Sequence, residues 1–276
     1  MNIALFGGTF DPIHRGHLNV ARAAAERFKL KEVWFVPADI PPHKQKAPVT
    51  SFFHRYSMVA LALAGEPDFL PSLLEAPDPE AHVERRPSYS IDTIRKVKAG
   101  LRKSDRLYFL IGIDAFREIG TWYKAEELLR ECDIIVAARP GYSLDDVVGS
   151  LPKGMRPKDD DAVMWQKSPS LRQAQGRLYR QKRAVERGGT RRNQAGLLEL
   201  PGVRLHLLPE THEDVSATQI RTATRRGTAL KKLVPDAVAE YIRKEGLYRG
   251  MPHTKAKQKI GRGGSGLKRP TQAKSA

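Results

Sequence analysis

Two histidines stand three positions apart in the stretch GGTFDPIHRGHL, residues 7–18. His14 and His17 follow the pair Gly7-Gly8 and stand at the start of a run with helical spacing. Glycines let backbone N–H groups approach an anion closely, and a helix N-terminus carries partial positive charge. Imidazoles at this spacing can lie on one side of a helix, donate N–H groups and carry charge near neutral pH. This stretch therefore predicts a site for an oligophosphate.

Other kinds of site fit the same stretch less well. This opening stretch has neither the Walker lysine pattern nor a G-x-G-x-x-G turn, which disfavours kinase-type and dinucleotide-binding sites. A zinc site would need further ligands at suitable spacing, and Cys132 is the only cysteine, so we predict no metal ligand. Asp11 is expected to hold the turn rather than act as a base. A simple helix cap with surface histidines is the alternative, but glycine turn, helix start and paired donors all agree on a binding site.

A second candidate for phosphate binding is VSATQIR, residues 215–221. Ser216 and Thr218 offer hydroxyls beside the unpaired N–H groups of a first helical turn. Arg221 lies three residues beyond Thr218, on the same face, and a guanidinium suits phosphate oxygens. Taken alone, an ordinary capped helix with a surface arginine is the better explanation of the stretch.

Two further charged residues stand near predicted strand ends. Lys44 follows the stiff run Pro41-Pro42-His43 and could meet an anion, although a solvated loop charge is the simpler interpretation. Asp114 comes shortly after Gly112, where a carboxylate can accept ribose hydroxyls or cap the next helix.

The elements that must position these residues alternate along the chain. Short apolar runs predict strands, and apolar residues at helical spacing predict helices. Strands are predicted at 2–6, 33–36, 106–113, 133–138 and 202–208, and helices at 17–28, 51–65, 91–102, 123–131, 216–226 and 235–246. This alternation predicts a doubly wound α/β fold with a parallel sheet, helices on both faces and ligands at the carboxyl ends of the strands.

The excess positive charge lies outside this pattern. Of the net charge of +17, residues 151–200 carry +7 and residues 251–276 carry +7. We predict one domain over 1–249, interrupted at about 150–198 by an irregular insertion that is mobile or only partly helical. A disordered basic tail over 250–276 is predicted to follow. Such a tail binds polyanions weakly and without sequence preference, so the charge does not by itself indicate a nucleic-acid-binding protein.

The bulk composition predicts a cytoplasmic protein without a membrane segment. No apolar run approaches the length that spans a bilayer, and the opening MNIALFGG lacks the basic start of a signal peptide. A single cysteine allows no intramolecular disulfide, which suits a reducing compartment.

The opening stretch resembles the signature of the HxGH-type nucleotidyltransferases, and within them it is most similar to the bacterial nicotinate-nucleotide adenylyltransferases. Further stretches resemble the same family in the same order, over about 1–149 and 200–248, whereas the insertion and the tail do not. These stretches are PPHK (41–44), RPSYSIDTI (86–94), LIGIDAF (110–116), TWY (121–123), AARPGY (137–142) and VSATQIR.

The resemblance implies a Rossmann-like fold and adenylyl transfer from ATP, with Mg²⁺ entering on ATP, to nicotinate mononucleotide. The products would be deamido-NAD and pyrophosphate. His14 and His17 would be catalytic, Trp122 would stack on the pyridine ring, and Ser90 and Ile91 would offer backbone groups to the nicotinate carboxylate. The residues expected at ATP are Gly7, Gly8, Thr9, Phe10, His14, His17, Gly112, Asp114, Ser216, Thr218 and Arg221. Those expected at the acceptor are Lys44, Ser90, Ile91, Trp122 and Tyr123.

Two alternatives stay open at this point. The same chemistry could use another phosphorylated acceptor: nicotinamide mononucleotide, phosphopantetheine or FMN. From a different class, the chain could be an RNA-binding module on an inactive nucleotidyltransferase core, but the presence of both histidines and of Ser216, Thr218 and Arg221 argues against it.

Overall fold

One sheet of eight strands organises the part of the chain that the structure, a computed structural model, describes. The described residues are 1–41, 48–78, 87–139, 144–156, 165–167, 196–208 and 215–249. The strands are β1 (Asn2–Gly8), β2 (Glu32–Pro37), β3 (Phe69–Pro71), β4 (Arg106–Gly112), β5 (Asp133–Ala137), β6 (Trp165–Lys167), β7 (Gly196–Leu200) and β8 (Val203–Leu208). The helices are α1 (Arg15–Phe28), α2 (Phe52–Leu63), α3 (Ser90–Ala99), α4 (Ile113–Phe116), α5 (Ala125–Glu131), α6 (Leu144–Ser150), α7 (Ala217–Arg225) and α8 (Asp236–Lys244).

The strand order places a natural binding crevice beside β1. The order is β3-β2-β1-β4-β5-β8-β7-β6, so the chain runs outward from β1 in one direction and then returns to add β4 on its other side. β1 pairs in parallel with both β2 and β4. In open parallel sheets, ligands bind outside the carboxyl ends of the strands at the point where the strand order reverses. The glycines that end β1 and β4 lie at this point.

Helices cover both faces of the sheet, as the sequence predicts. Alternate strand residues face two separate apolar cores, because side chains of a strand point to opposite sides in turn. Leu18 of α1 and Met58 of α2 pack on one face, together with α7 and α8. Ile94 of α3 and Leu128 of α5 pack on the other face, together with α4 and α6. The doubly wound, Rossmann-like α/β fold is therefore confirmed.

The sheet is parallel from β3 through β8, as predicted, and becomes antiparallel beyond β8. β6 and β7 pair antiparallel with each other, and β7 pairs antiparallel with β8. Both strands lie within or at the border of the stretch 150–198, which the sequence analysis treats as an irregular insertion. Only residues 201–202 separate β7 from β8, so the two strands form a local hairpin. The polar residues that precede β7 in the sequence hid this short apolar strand from the prediction.

Several shorter elements also escaped prediction: β3, α4 and α6. Each has seven residues or fewer, too few to show a clear hydrophobic period. The predicted elements themselves are present, with ends that differ by no more than three residues. The segment 168–195 and the tail 250–276 lie outside the described residues, and the domain boundaries stay predictions. None of the helices in the described ranges is long and apolar enough to cross a membrane.

Candidate active site

The floor of the candidate site is formed by glycines at the ends of neighbouring strands. β1 ends at Gly8 and β4 ends at Gly112. A Cβ atom on Gly8 would lie 3.0 Å from the ring of Phe10, so only glycine fits there without movement. Phe10 itself has φ +48° and a buried ring that packs on Phe6 and Phe35. Phe10 can therefore offer a ligand its backbone, but its side chain belongs to the core.

The two histidines lie together at the start of α1, as their spacing predicts. Their rings stack with centroids 3.7 Å apart and planes 26° apart. The backbone N–H of His14 donates to Nδ1 of His17 at 3.2 Å. A nitrogen that accepts a hydrogen bond carries no proton, so a neutral His17 holds its proton on Nε2. Phe10 contacts the His17 ring edge-on at 5.0 Å and fixes its orientation further.

His14 is neutral near pH 7, which corrects the expectation that both imidazoles can carry charge there. Its side chain is 4% exposed. Burial, and secondarily the charge of Arg139, lowers the pKa of His14 to about 4. Its Nδ1 atom is buried without a hydrogen-bond partner among the described residues. An unsatisfied buried polar atom costs about 1–3 kcal/mol of stability. The position of His14 therefore does not favour stability, which is consistent with a role in binding.

The second predicted cradle meets the first one directly. Arg221 of α7 donates from Nη1 to the backbone oxygen of Asp11 at 2.7 Å and from Nη2 to Oγ1 of Thr218 at 3.1 Å. A Cβ atom on Gly16 would lie 3.6 Å from the backbone oxygen of Val215, so the starts of α1 and α7 are adjacent. The two stretches predicted to bind phosphate therefore converge on one place.

The hydroxyls of α7 serve the helix as well. Ser216 is the N-cap of α7, and its Oγ accepts from the backbone N–H of Gln219 at 3.2 Å. Thr218 is exposed and accepts from Arg221. The capped-helix interpretation is thus correct in its geometry, although both hydroxyls keep a proton that can be donated to an anion.

Asp11 holds the turn, as expected. Its carboxylate accepts from the hydroxyl of Tyr248 at 2.6 Å and from the backbone N–H of Thr50 at 3.3 Å. Burial and the negative charge of Asp11 raise the pKa of the Tyr248 hydroxyl, which therefore stays protonated and donates. Nothing in the sequence around Tyr248 signals this contact, because 237 positions separate the two residues.

A buried arginine, which the sequence analysis missed, ties the surrounding loops together. Arg55 of α2 is 1% exposed and donates to three backbone oxygens, those of Thr9, Asp39 and Thr50, at 2.8, 3.2 and 2.8 Å. Burial lowers the pKa of Arg55, and the nearby carboxylate of Asp11 opposes that shift. The available signal was an arginine on the apolar face of a helix, where a charge needs buried partners.

A second missed cation lies at the carboxyl end of β5. Nε of Arg139 lies 3.0 Å from Oδ2 of Asp114, at the end of the neighbouring β4. Arg139 is near enough to His14 for its charge to help lower the histidine pKa. Asp114, predicted to accept ribose hydroxyls, is thus half-exposed and paired with a cation beside the histidines.

The residues predicted at the acceptor gather around the start of α3. The rings of Tyr89 and Tyr123 lie 4.4 Å apart, which brings Ser90 and Ile91 next to the segment that contains Trp122. Trp122 packs partly buried against Phe109 at 6.5 Å. Ile91 is fully buried, backbone included, so the structure places it at the start of α3 without exposing it. Lys44 lies outside the described residues.

No cluster of three His, Cys, Asp or Glu residues suited to a metal ion occurs in the described ranges. The arrangement nevertheless offers an anion several donors: two imidazoles, the guanidinium groups of Arg139 and Arg221, and the first turns of α1 and α7. Such a set can hold a polyphosphate and stabilise charge that develops on it.

Comparisons with known proteins point in one direction. The family model described as cytidylyltransferase-like matches residues 5–223. A protein of Moorella thermoacetica, named "Probable nicotinate-nucleotide adenylyltransferase", is 36% identical over 247 residues, 90% of this chain and 91% of its own length. A protein of the same name from Pseudomonas paraeruginosa is 36% identical over 251 residues, 91% of this chain and 98% of its own.

Solved structures share the fold. The Plasmodium falciparum nicotinic acid mononucleotide adenylyltransferase complexed with NaAD superposes with a TM-score of 0.57 at 19% identity. The match covers 90% of this chain and 97% of that one. A complex of the same protein with APC gives a TM-score of 0.55.

Proposed function

Since the chain belongs to the cytidylyltransferase-like family, and within it to the nicotinate-nucleotide adenylyltransferases, we propose that it transfers the adenylyl group of ATP to nicotinate mononucleotide. The products are deamido-NAD and pyrophosphate, and the reaction serves NAD biosynthesis. Its substrates are the small molecules ATP and nicotinate mononucleotide. The single cysteine favours a cytoplasmic location, and weak polyanion binding by the basic tail stays a prediction.

The observation that carries this proposal is the contact between the opening loop and α7. The hydrogen bond from Arg221 to the Asp11 backbone joins two phosphate-binding candidates at the crevice beside β1 and β4. An RNA-binding module on an inactive nucleotidyltransferase core would not require these two stretches to lie together. It supports a site in which one triphosphate contacts both helix starts at once.

The reaction requires no protein base. A phosphate oxygen of the acceptor attacks the α-phosphorus of ATP in line, a new P–O bond forms, and the bond to the β-phosphate oxygen breaks to release pyrophosphate. The nucleophile is already an anion, so no proton has to be removed. Catalysis then depends on alignment and on donors that stabilise charge on the α-phosphate and the leaving group.

The two histidines have different parts in this proposal. His17 donates from Nε2–H, because its Nδ1 accepts from the His14 backbone. His14 is neutral, so it contributes an oriented imidazole and holds the His17 ring by stacking rather than supplying a positive charge. The positive charge comes from Arg139 and Arg221, whose guanidinium groups contact Asp114 and Thr218 in this structure.

Mg²⁺ is proposed to enter with ATP and to be held by the phosphates. The described residues offer no three-residue metal cluster, so no protein ligand is assigned to it and no step depends on one. When bound, the ion would neutralise part of the charge on the β- and γ-phosphates.

An acceptor panel tests the proposal. ATP is supplied with nicotinate mononucleotide, nicotinamide mononucleotide, phosphopantetheine or FMN, and pyrophosphate release is followed. The expected result is the highest kcat/KM with nicotinate mononucleotide. Preference for another acceptor would change the assigned substrate but leave adenylyl transfer intact. No pyrophosphate release with any acceptor would refute the enzyme assignment.

The His17→Ala variant tests the mechanism. Loss of one donor that acts in the transition state lowers kcat by about 10²–10³. The control is His206→Gln, which alters a histidine paired with Asp133, the first residue of β5 and therefore far from the carboxyl ends of the strands. A His17→Ala enzyme that is folded and fully active would remove the central role of the paired imidazoles.

A further inference from the structure

A buried carboxylate outside the motifs lies behind the start of α3. Glu75, in the loop after β3, accepts a hydrogen bond from Oγ1 of Thr93 at 2.6 Å. The hydroxyl of Ser88 also hydrogen-bonds its carboxylate. Burial raises the pKa of Glu75, and these two hydroxyl bonds act against the rise. A carboxylate accepts several hydrogen bonds at once, so it can join two hydroxyls that a neutral side chain could not hold together as well.

The loop that contains Glu75 is itself fixed to the sheet. Ser72 donates its backbone N–H to the oxygen of Phe35 in β2 at 2.9 Å, and its Oγ accepts from the backbone of Leu74 at 3.2 Å. Glu75 therefore projects from a rigid base, as a group must if it is to position others.

The two hydroxyls belong to segments that meet at the acceptor residues. Thr93 lies in the first turn of α3, where its backbone N–H donates to the oxygen of Tyr89. Ser88 precedes that helix, its backbone donates to the oxygen of Ile40, and its Oγ accepts from the backbone of Asp39 at 3.2 Å. Glu75 thus joins the start of α3 to the loop that follows β2.

The first N–H groups of α3 have no partner within the helix, because the first turn of any helix leaves them unpaired. Ser90 and Ile91 supply two of these groups, and they are the groups expected to receive the acceptor carboxylate. Their direction depends on how the first turn is held, and the hydrogen bond from Thr93 to Glu75 is one of the contacts that hold it.

We propose that Glu75 is a positioning residue for the acceptor: through Ser88 and Thr93 it fixes the N-terminal turn of α3 in the orientation that binds the acceptor's anionic ring substituent. The inference deepens the proposed function and rests on it for the identity of the acceptor. Glu75 does not touch the reacting atoms, so its effect should fall on acceptor affinity and leave ATP affinity unchanged.

The test compares Glu75→Ala with Glu127→Ala, which removes a half-exposed carboxylate of α5 that pairs with Arg95, in the middle of α3 rather than in its first turn. KM for nicotinate mononucleotide is expected to rise about tenfold in Glu75→Ala, with KM for ATP within twofold of the wild type. Thr93→Val should reproduce part of the rise, and Thr93→Ser, which restores the hydroxyl, should reverse it. Equal increases in both KM values, or none, would overturn the proposal.

Amide hydrogen exchange separates this inference from the proposed function. Exchange over residues 88–94 should accelerate at least tenfold in Glu75→Ala and stay unchanged in Glu127→Ala, whichever acceptor the enzyme uses. Unchanged exchange in Glu75→Ala would refute the positioning role even if the enzyme is active. A wild type that ignores nicotinate mononucleotide would refute the proposed function instead, and the exchange result would still decide the role of Glu75.

Discussion

Gly16 offers a sharp test of whether the stacked imidazoles must keep their geometry. Gly16 is the second residue of α1, between the two histidines. A Cβ atom there would lie 3.1 Å from Nδ1 and 3.2 Å from Cε1 of His14. Ordinary van der Waals contact begins at about 3.4 Å, so in Gly16→Ala the His14 ring has to move by about 0.3 Å.

The expected cost is catalytic rather than structural. A misplacement of about 1 Å in an aligned site can cost about 10²-fold, so a shift of about a third of that predicts a kcat lower by roughly fivefold. Alanine is favoured over glycine in a helix by up to about 1 kcal/mol, which offsets the new contact. The net change in unfolding free energy should stay within about 1 kcal/mol, a Tm shift of about 2–4 °C.

Steady-state pyrophosphate release at saturating substrates measures kcat, and a thermal melt measures stability. Gly149→Ala is the matched control, because a Cβ atom on this glycine of α6 meets nothing within 4 Å. The control should keep wild-type kcat. If Gly16→Ala also kept it while its structure showed the displaced ring, the geometry of the histidine pair would not matter for the reaction.

Two further outcomes follow from the same structure. Because burial lowers the pKa of His14 from 6.5 to about 4, the native state binds fewer protons than the unfolded chain between these values. Stability should fall by roughly 3 kcal/mol as pH drops from 6.5 to 4, and urea melts of His14→Asn should lack this share of the loss. Lys167 and Gly196 face each other in the β6–β7 register, so replacing residues 168–195 with Asn-Gly should preserve Tm and kcat. A Tm lower by more than about 10 °C would show that this segment contributes to the core.

Local sequence was enough for the elements that shape the first half of the site. The apolar run of β1, the glycines after it and the helical spacing of α1 act over a few residues, so the chain carries their signal directly. The stacking of His14 on His17 follows from their spacing on one helix. VSATQIR likewise contains its own capping pattern, with Ser216 at the N-cap and Gln219 three residues later.

Only the tertiary structure decided how these pieces act together. The hydrogen bond from Arg221 to Asp11 joins residues 210 positions apart, and the sequence around either residue does not predict this contact. The neutral state of His14, the three carbonyls held by Arg55 and the carboxylate of Glu75 behind α3 depend on burial, which the whole fold creates. The antiparallel strands β6 and β7 were also missed for a tertiary reason, since the partner strands of a short strand define it more than its own residues do. Proximity and desolvation are properties of the packed chain. They determine the chemistry of residues that the sequence identifies only as candidates.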